Sequence, residues 1–117
     1  MPLWTERIFY LHNDNESRKI KQYHLTSWVN TDTPQSMFDF VNFIRHIRSE
    51  QQLPDIEKLP PIIVHCSDGA LKSGLFIAID KVLSDLQNES FVDILGLVYK
   101  LKLARQVLIS SEVMAAF

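Results

Sequence analysis

The stretch His65-Cys66-Ser67-Asp68-Gly69-Ala70-Leu71-Lys72-Ser73-Gly74 stands between two apolar segments of different period. Before it, Pro61-Ile62-Ile63-Val64 is an apolar run that predicts a short strand buried on both faces. After it, Leu75, Phe76, Ile79, Leu83 and Leu86 recur at helical spacing. A buried strand, a glycine-bearing loop and a helix N-terminus together make an anion site. The loop's N–H groups can converge on one anion, and the helix adds positive potential. A cysteine at the start of such a loop feels the same field, which favours its thiolate and makes it nucleophilic near neutral pH. Cys66 has that position, and Ser67, Asp68, Gly69, Ala70 and Leu71 separate it from the positive charge of Lys72. A lone buried cysteine also serves as a small hydrophobe. The spacing by itself leaves both readings open.

Upstream of this stretch, Ile8 to Leu11 is apolar and aromatic, as strands are. Asn13-Asp14-Asn15-Glu16-Ser17 is turn chemistry. Lys19 to Trp28 alternates loosely, with Tyr23 and Leu25 on one face and Gln22, His24 and Thr26 on the other. These segments predict an antiparallel hairpin with a long polar turn. Asn30-Thr31-Asp32-Thr33-Pro34 reads as a loop. Ser36 followed by Asp39 then resembles a capping box, and Met37, Phe40, Val41, Ile44 and Ile47 predict a helix to about Gln51. Phe38, Phe40 and Phe43 are read as packing residues. The prolines of Leu53 to Pro61 make a connector. Downstream, Val92, Leu95, Val98, Leu101 and Leu103 predict a third helix, and Ser110-Ser111-Glu112 caps a last one.

With 117 residues, 46% of them hydrophobic, the chain fits one globular domain over residues 1–117. A formal net charge of -2 and the lack of basic runs argue against a nucleic-acid partner. The nearest basic group, Arg18-Lys19-Ile20-Lys21, reads as a charged strand edge. The single cysteine forms no internal disulfide, which fits a reducing, cytoplasmic compartment. No apolar stretch is long enough for membrane insertion, and the N-terminus does not read as a signal peptide. His12, His24, His46 and His65 show no ligand spacing along the chain, so neither a metal nor another cofactor is expected.

Pro61 to Gly69, followed by Ser73-Gly74-Leu75-Phe76, resembles the strand, signature loop and following helix of the protein tyrosine phosphatase family. Gln22-Tyr23-His24-Leu25-Thr26-Ser27-Trp28 resembles the strand leading into that family's movable acid loop. Phe91-Val92-Asp93-Ile94, with Val98, Leu101 and Arg105, resembles its next helix. The resemblance runs over the whole chain but over only about half of a family domain. The half with the phosphotyrosine-recognition loop and several sheet strands has no counterpart here. The implied fold is α/β, a partial tyrosine-phosphatase-like fold of hairpin, central strand, signature loop and three to four helices.

The resemblance implies a role for each matching position, and the arginine, general-acid and water-positioning roles all fall on other side chains. Cys66 has the nucleophile's position, and Ser73 that of the hydroxyl assisting thiolate release. His65 helps fix the loop, and Trp28 anchors the acid loop. The signature arginine falls at Lys72, which has charge but no planar fork for two phosphate oxygens. The general-acid aspartate falls at Asn30, in Trp28-Val29-Asn30, and an amide has no proton to give at useful acidity. The water-positioning glutamine falls at Ser110, a second glutamine position at Met114, and Gln106 replaces the usual proline. The expected function is a catalytically impaired module that binds phosphotyrosine or another protein. Phosphotyrosine proteins or another phosphatase domain are the implied partners. The alternative is a low-activity cysteine-dependent phosphatase.

Overall fold

The computed structural model describes residues 3–28, 36–51, 61–67, 71–89 and 91–105. The chain divides into two compact units, Met1–Gln51 and Gln52–Phe117.

The first unit is a hairpin with one helix. Strands β1 (Trp4–Asn13) and β2 (Glu16–Leu25) pair antiparallel from Trp4↔Leu25 to Asn13↔Glu16. The expected long turn is corrected to the two residues Asp14 and Asn15, with Asn13 Oδ1 accepting from the Asp14 N–H at 2.8 Å. Asn and Asp suit such a tight turn, and the ladder runs to its last pair on either side of it. Trp4, Glu6, Ile8 and Tyr10 share one face of the hairpin with Leu25, Tyr23, Lys21 and Lys19, because side chains alternate along a strand.

Helix α1 (Met37–Glu50) begins at Ser36, whose hydroxyl accepts from the Asp39 N–H at 3.3 Å, as the capping pattern predicts. Phe40, Phe43, Ile44 and Ile47 are buried at the spacing the sequence shows. The helix meets the open end of the hairpin. The Trp4 and Phe43 rings lie 5.5 Å apart, and Trp28, itself buried, meets Phe40 edge-on at 5.4 Å. Trp28 is held by this contact, and the loop after it lies outside the described residues. Phe38 is the exception among the phenylalanines at 75% exposed, because it sits two residues from Phe40 and so on the opposite side of a 3.6-residue turn.

The second unit holds the segment 61–67, helix α2 (Leu71–Asn88) and helix α3 (Ile94–Ala104), with α2 packed against α3. Leu75, Phe76, Ala78 and Ile79 of α2 are buried, and so is Val98 of α3. Asp93 caps α3, its Oδ1 accepting from the Gly96 N–H at 2.9 Å. A Cβ on residue 96 would come within 2.2 Å of Asp93 Oδ2, so a side chain there would shift the Asp93 carboxylate.

Two expectations for this unit are corrected. Ile62–Val64 forms no strand among the described residues, and Ile63 is 87% exposed. An apolar run becomes a strand only where a neighbouring backbone takes its N–H and C=O groups, and the one described sheet is the two-stranded hairpin. In α3, Leu95 and Leu103 are exposed, and the covered side is Ile94, Leu97, Val98 and Leu101. The last expected helix, from Ser110, lies outside the described residues. No described helix is long and apolar enough to cross a membrane.

Candidate functional site

The signature stretch enters α2 from its N-terminal side. Cys66 is half-buried and Ser67 exposed, while Asp68, Gly69 and Ala70 lie outside the described residues. Helix α2 opens at Leu71 with no acidic residue in its first turn, and the N-terminus of an 18-residue helix is its positive end. Lys72, half-buried, adds its charge to that same turn. Ser73 follows at 4% exposed, and its Oγ has no hydrogen-bond partner among the described residues. A buried hydroxyl in the first turn of a helix, one residue beyond a cation, suits contact with an anion or thiolate. Gly74 and Leu75, both buried, pack that turn against the protein.

Cys66, Leu71, Lys72 and Ser73 thus stand in the second unit, spanning the last residues before α2 and its first turn. Asn30 and Ser110, the expected general-acid and water-positioning positions, lie outside the described residues, as do Gln106 and Met114. His65 is exposed in the segment before α2.

A model of the protein-tyrosine phosphatase family matches residues 2–116. This chain belongs to the protein-tyrosine phosphatase family. It is 36% identical over 114 residues to receptor-type tyrosine-protein phosphatase eta of Mus musculus, covering 96% of this chain and 9% of that relative. With the eta phosphatase of Homo sapiens it also shares 36% identity, over 96% of this chain and 8% of the relative. With receptor-type tyrosine-protein phosphatase V of Rattus norvegicus it shares 31%, over 92% of this chain and 6% of the relative. The chain therefore spans less than a tenth of the length of these curated relatives.

A second constellation, in the first unit, was not visible in the sequence. Glu6 of β1 and Glu50 at the end of α1 both face His46 and Lys21. Lys21 Nζ lies 3.1 Å from Glu6 Oε2 and 2.6 Å from Glu50 Oε2. His46 Nε2 lies 2.6 Å from Glu6 Oε1 and 3.4 Å from Glu50 Oε1. Trp4 Nε1–H donates to Glu6 Oε1 at 3.2 Å, and the Tyr23 hydroxyl donates to Glu50 Oε2. The donated bonds from Trp4 and Lys21, with His46 beside them, hold the Glu6 carboxyl down at about 2, against an ordinary 4.5. Glu50 is lowered by Lys21 and then Tyr23, and Lys21 is raised in turn, by Glu50 and then Glu6. Burial, and then the Glu50 carboxylate, push Tyr23 up. His46 and Glu50 sit one helical turn apart on α1, a spacing the sequence does carry. Glu6 joins them from 40 residues away, which no local pattern reveals.

This cluster makes the first unit acid-sensitive with a definite sign. A carboxylate whose folded pKa is depressed gives stability that is present above its ordinary value and lost as pH falls through the folded one. For Glu6 that window runs from 4.5 down to about 2. Urea midpoints read by tryptophan emission are expected to fall across this window more steeply in the native chain than in Glu6→Gln. Equal slopes would show that Glu6 is not held in its ionised form.

Proposed function

We propose that this chain is a catalytically impaired phosphatase-like module that binds phosphotyrosine or another protein and serves regulation rather than turnover. One observation carries the reading. Lys72 occupies the first turn of α2, the position that the resemblance gives to the family's arginine; Cys66 precedes the helix half-buried, and the buried Ser73 hydroxyl that follows Lys72 has no hydrogen-bond partner among the described residues. That combination supports attraction of an anion to the helix N-terminus. It does not supply the bidentate grip that tightens in a phosphoryl-transfer transition state. Asn30 and Ser110 weaken the same chemistry at its acid and water-positioning steps. The relatives are receptor-type phosphatases by name, so the proposed home is the cytoplasmic part of a receptor. The proposed partner is a phosphotyrosine protein or another phosphatase domain.

The second reading, slow cysteine-dependent hydrolysis, is favoured by Cys66 and Ser73 being kept. In that case Cys66 Sγ would take the phosphoryl group from a tyrosine and water would then release it. The chain and Cys66→Ser are to be compared on an aryl phosphate, with calorimetry on a tyrosine peptide with and without phosphate. The expected result is equal, near-background hydrolysis by both proteins and binding that requires the phosphate. Turnover abolished by Cys66→Ser would replace the module reading with the enzyme reading, and phosphate-independent binding would move the interaction to another surface.

A further inference from the structure

The Glu6–His46–Glu50 constellation does more than fasten α1 to the hairpin. Each of its two carboxylates gives one oxygen to Lys21, Oε2 in both cases, and turns the other, Oε1, toward the same imidazole nitrogen. The three ligand-capable atoms, Glu6 Oε1, His46 Nε2 and Glu50 Oε1, lie within 4.8 Å of one another. Zinc at its usual bond lengths of about 2.0–2.2 Å, in a tetrahedron, sets ligand atoms about 3.3 Å apart. The His46–Glu50 separation of 3.4 Å already meets that value, and the His46–Glu6 separation of 2.6 Å would open by a fraction of an ångström.

The surroundings fit a first-row divalent ion in two further ways. The carboxylates are held by neighbouring donors, Glu6 through Oε1 by the Trp4 indole N–H and Glu50 through Oε2 by the Tyr23 hydroxyl. Ligand sets in proteins depend on such partners to hold their aim. The imidazole is walled by aromatic rings, with Trp4 at 5.2 Å and Tyr23 edge-on at 6.0 Å. One imidazole and two carboxylates suit zinc better than the harder magnesium or calcium, which take all-oxygen sets. The two glutamates and Lys21 leave one net negative charge, which attracts a divalent cation.

We propose that Glu6, His46 and Glu50 form a zinc-type divalent metal site on the first unit, with water completing the coordination. The site joins the hairpin to α1, so metal ties the two elements together and stabilises the folded unit by mass action. It is independent of the signature loop and of any phosphatase reading.

Zinc chloride is the probe, titrated into the intact chain and into His46→Ala, Glu50→Gln and Cys66→Ser. Calorimetry reads affinity, and urea midpoints by tryptophan emission read stabilisation. One ion per chain and a raised midpoint are expected for the native chain and for Cys66→Ser. His46→Ala should weaken binding by at least about 10–100-fold, the loss that even outer partners of a ligand produce. Circular dichroism of His46→Ala shows whether the helices persist. Should that variant unfold, cobalt absorption of the native chain decides instead. Weak bands of oxygen and nitrogen ligation support the site, and a thiolate charge-transfer band places the ion at Cys66. Three results overturn the proposal: no binding by the native chain, binding unchanged in His46→Ala, or binding lost in Cys66→Ser. The first leaves the constellation as an ion-pair clasp.

Discussion

Lys72→Arg combined with Asn30→Asp is expected to raise aryl phosphate hydrolysis by about 10²–10⁴-fold, the range that a positioned general acid supplies. The arginine restores two parallel N–H···O bonds to the phosphoryl oxygens, where lysine acts as a point charge. It enters the first turn of α2 at a half-buried position already cationic, so the substitution keeps the sign of the local field. Under the proposed assignment of position 30, the aspartate would give a proton to the leaving phenolate. Ser110 stays where the family's water-positioning glutamine would be, so breakdown of the cysteinyl-phosphate should lag behind its formation. A burst of phenolate followed by a slow steady rate is therefore expected, since a covalent intermediate that forms faster than it is hydrolysed accumulates. Adding Cys66→Ser must remove burst and steady rate together. If the double variant gains nothing, either the loop around Cys66 is collapsed or the half of a family domain without a counterpart here is essential to turnover.

What could be read in advance followed from interactions that are local in the chain. Helix α1 was legible because Phe40, Ile44 and Ile47 recur on one side and Ser36 precedes them, and both signals are complete within a few residues. The family, and with it the positions of Cys66, Lys72 and Ser73, was legible from contiguous motifs. Misreadings arose where a distant or competing partner decides. Asn13 to Ser17 are all good turn residues, yet Asn13 and Glu16 close the ladder because strand pairing on either side outweighs their preference. Leu95 and Val98 look equivalent in the sequence. Val98 is covered and Leu95 is not, a difference that their spacing does not carry. Ile62–Val64 has the composition of a central strand, but strand character comes from a neighbour's backbone. The Glu6–His46–Glu50 cluster was missed for the same reason. Spacing between histidines along the chain says nothing about a carboxylate brought in by strand β1.

Ile44→Ala is expected to cost about 2–5 kcal/mol, the usual range for removing a large aliphatic side chain from a closed site. Against a total stability of roughly 5–15 kcal/mol for an ordinary domain, that loss is severe. Ile44 is 1% exposed on the inner side of α1, between Phe43 and Ile47 and one turn from Phe40, so the cavity left by alanine has no solvent to fill it. Both tryptophans of the chain, Trp4 and Trp28, belong to this unit and lie against α1 through Phe43 and Phe40. Tryptophan emission during urea unfolding therefore reports the unit in which the cavity is made. The midpoint should fall sharply for Ile44→Ala and by a lesser step for Ile44→Val, for which about 0.5–1.5 kcal/mol is the norm. Leu75→Ala, at a side chain 2% exposed in α2, should cost a similar amount, and helical circular dichroism follows it better because no tryptophan lies in that unit. Phe38→Ala, on the open side of α1, should stay within about 0.5 kcal/mol of the native chain, as surface substitutions do. The contrast is the test. A larger loss from Phe38→Ala than from Ile44→Ala would mean that α1 presents its other face to the protein. The ring contacts of Phe40 and Phe43, and with them the placement of His46 and Glu50 toward the hairpin, would then be wrong.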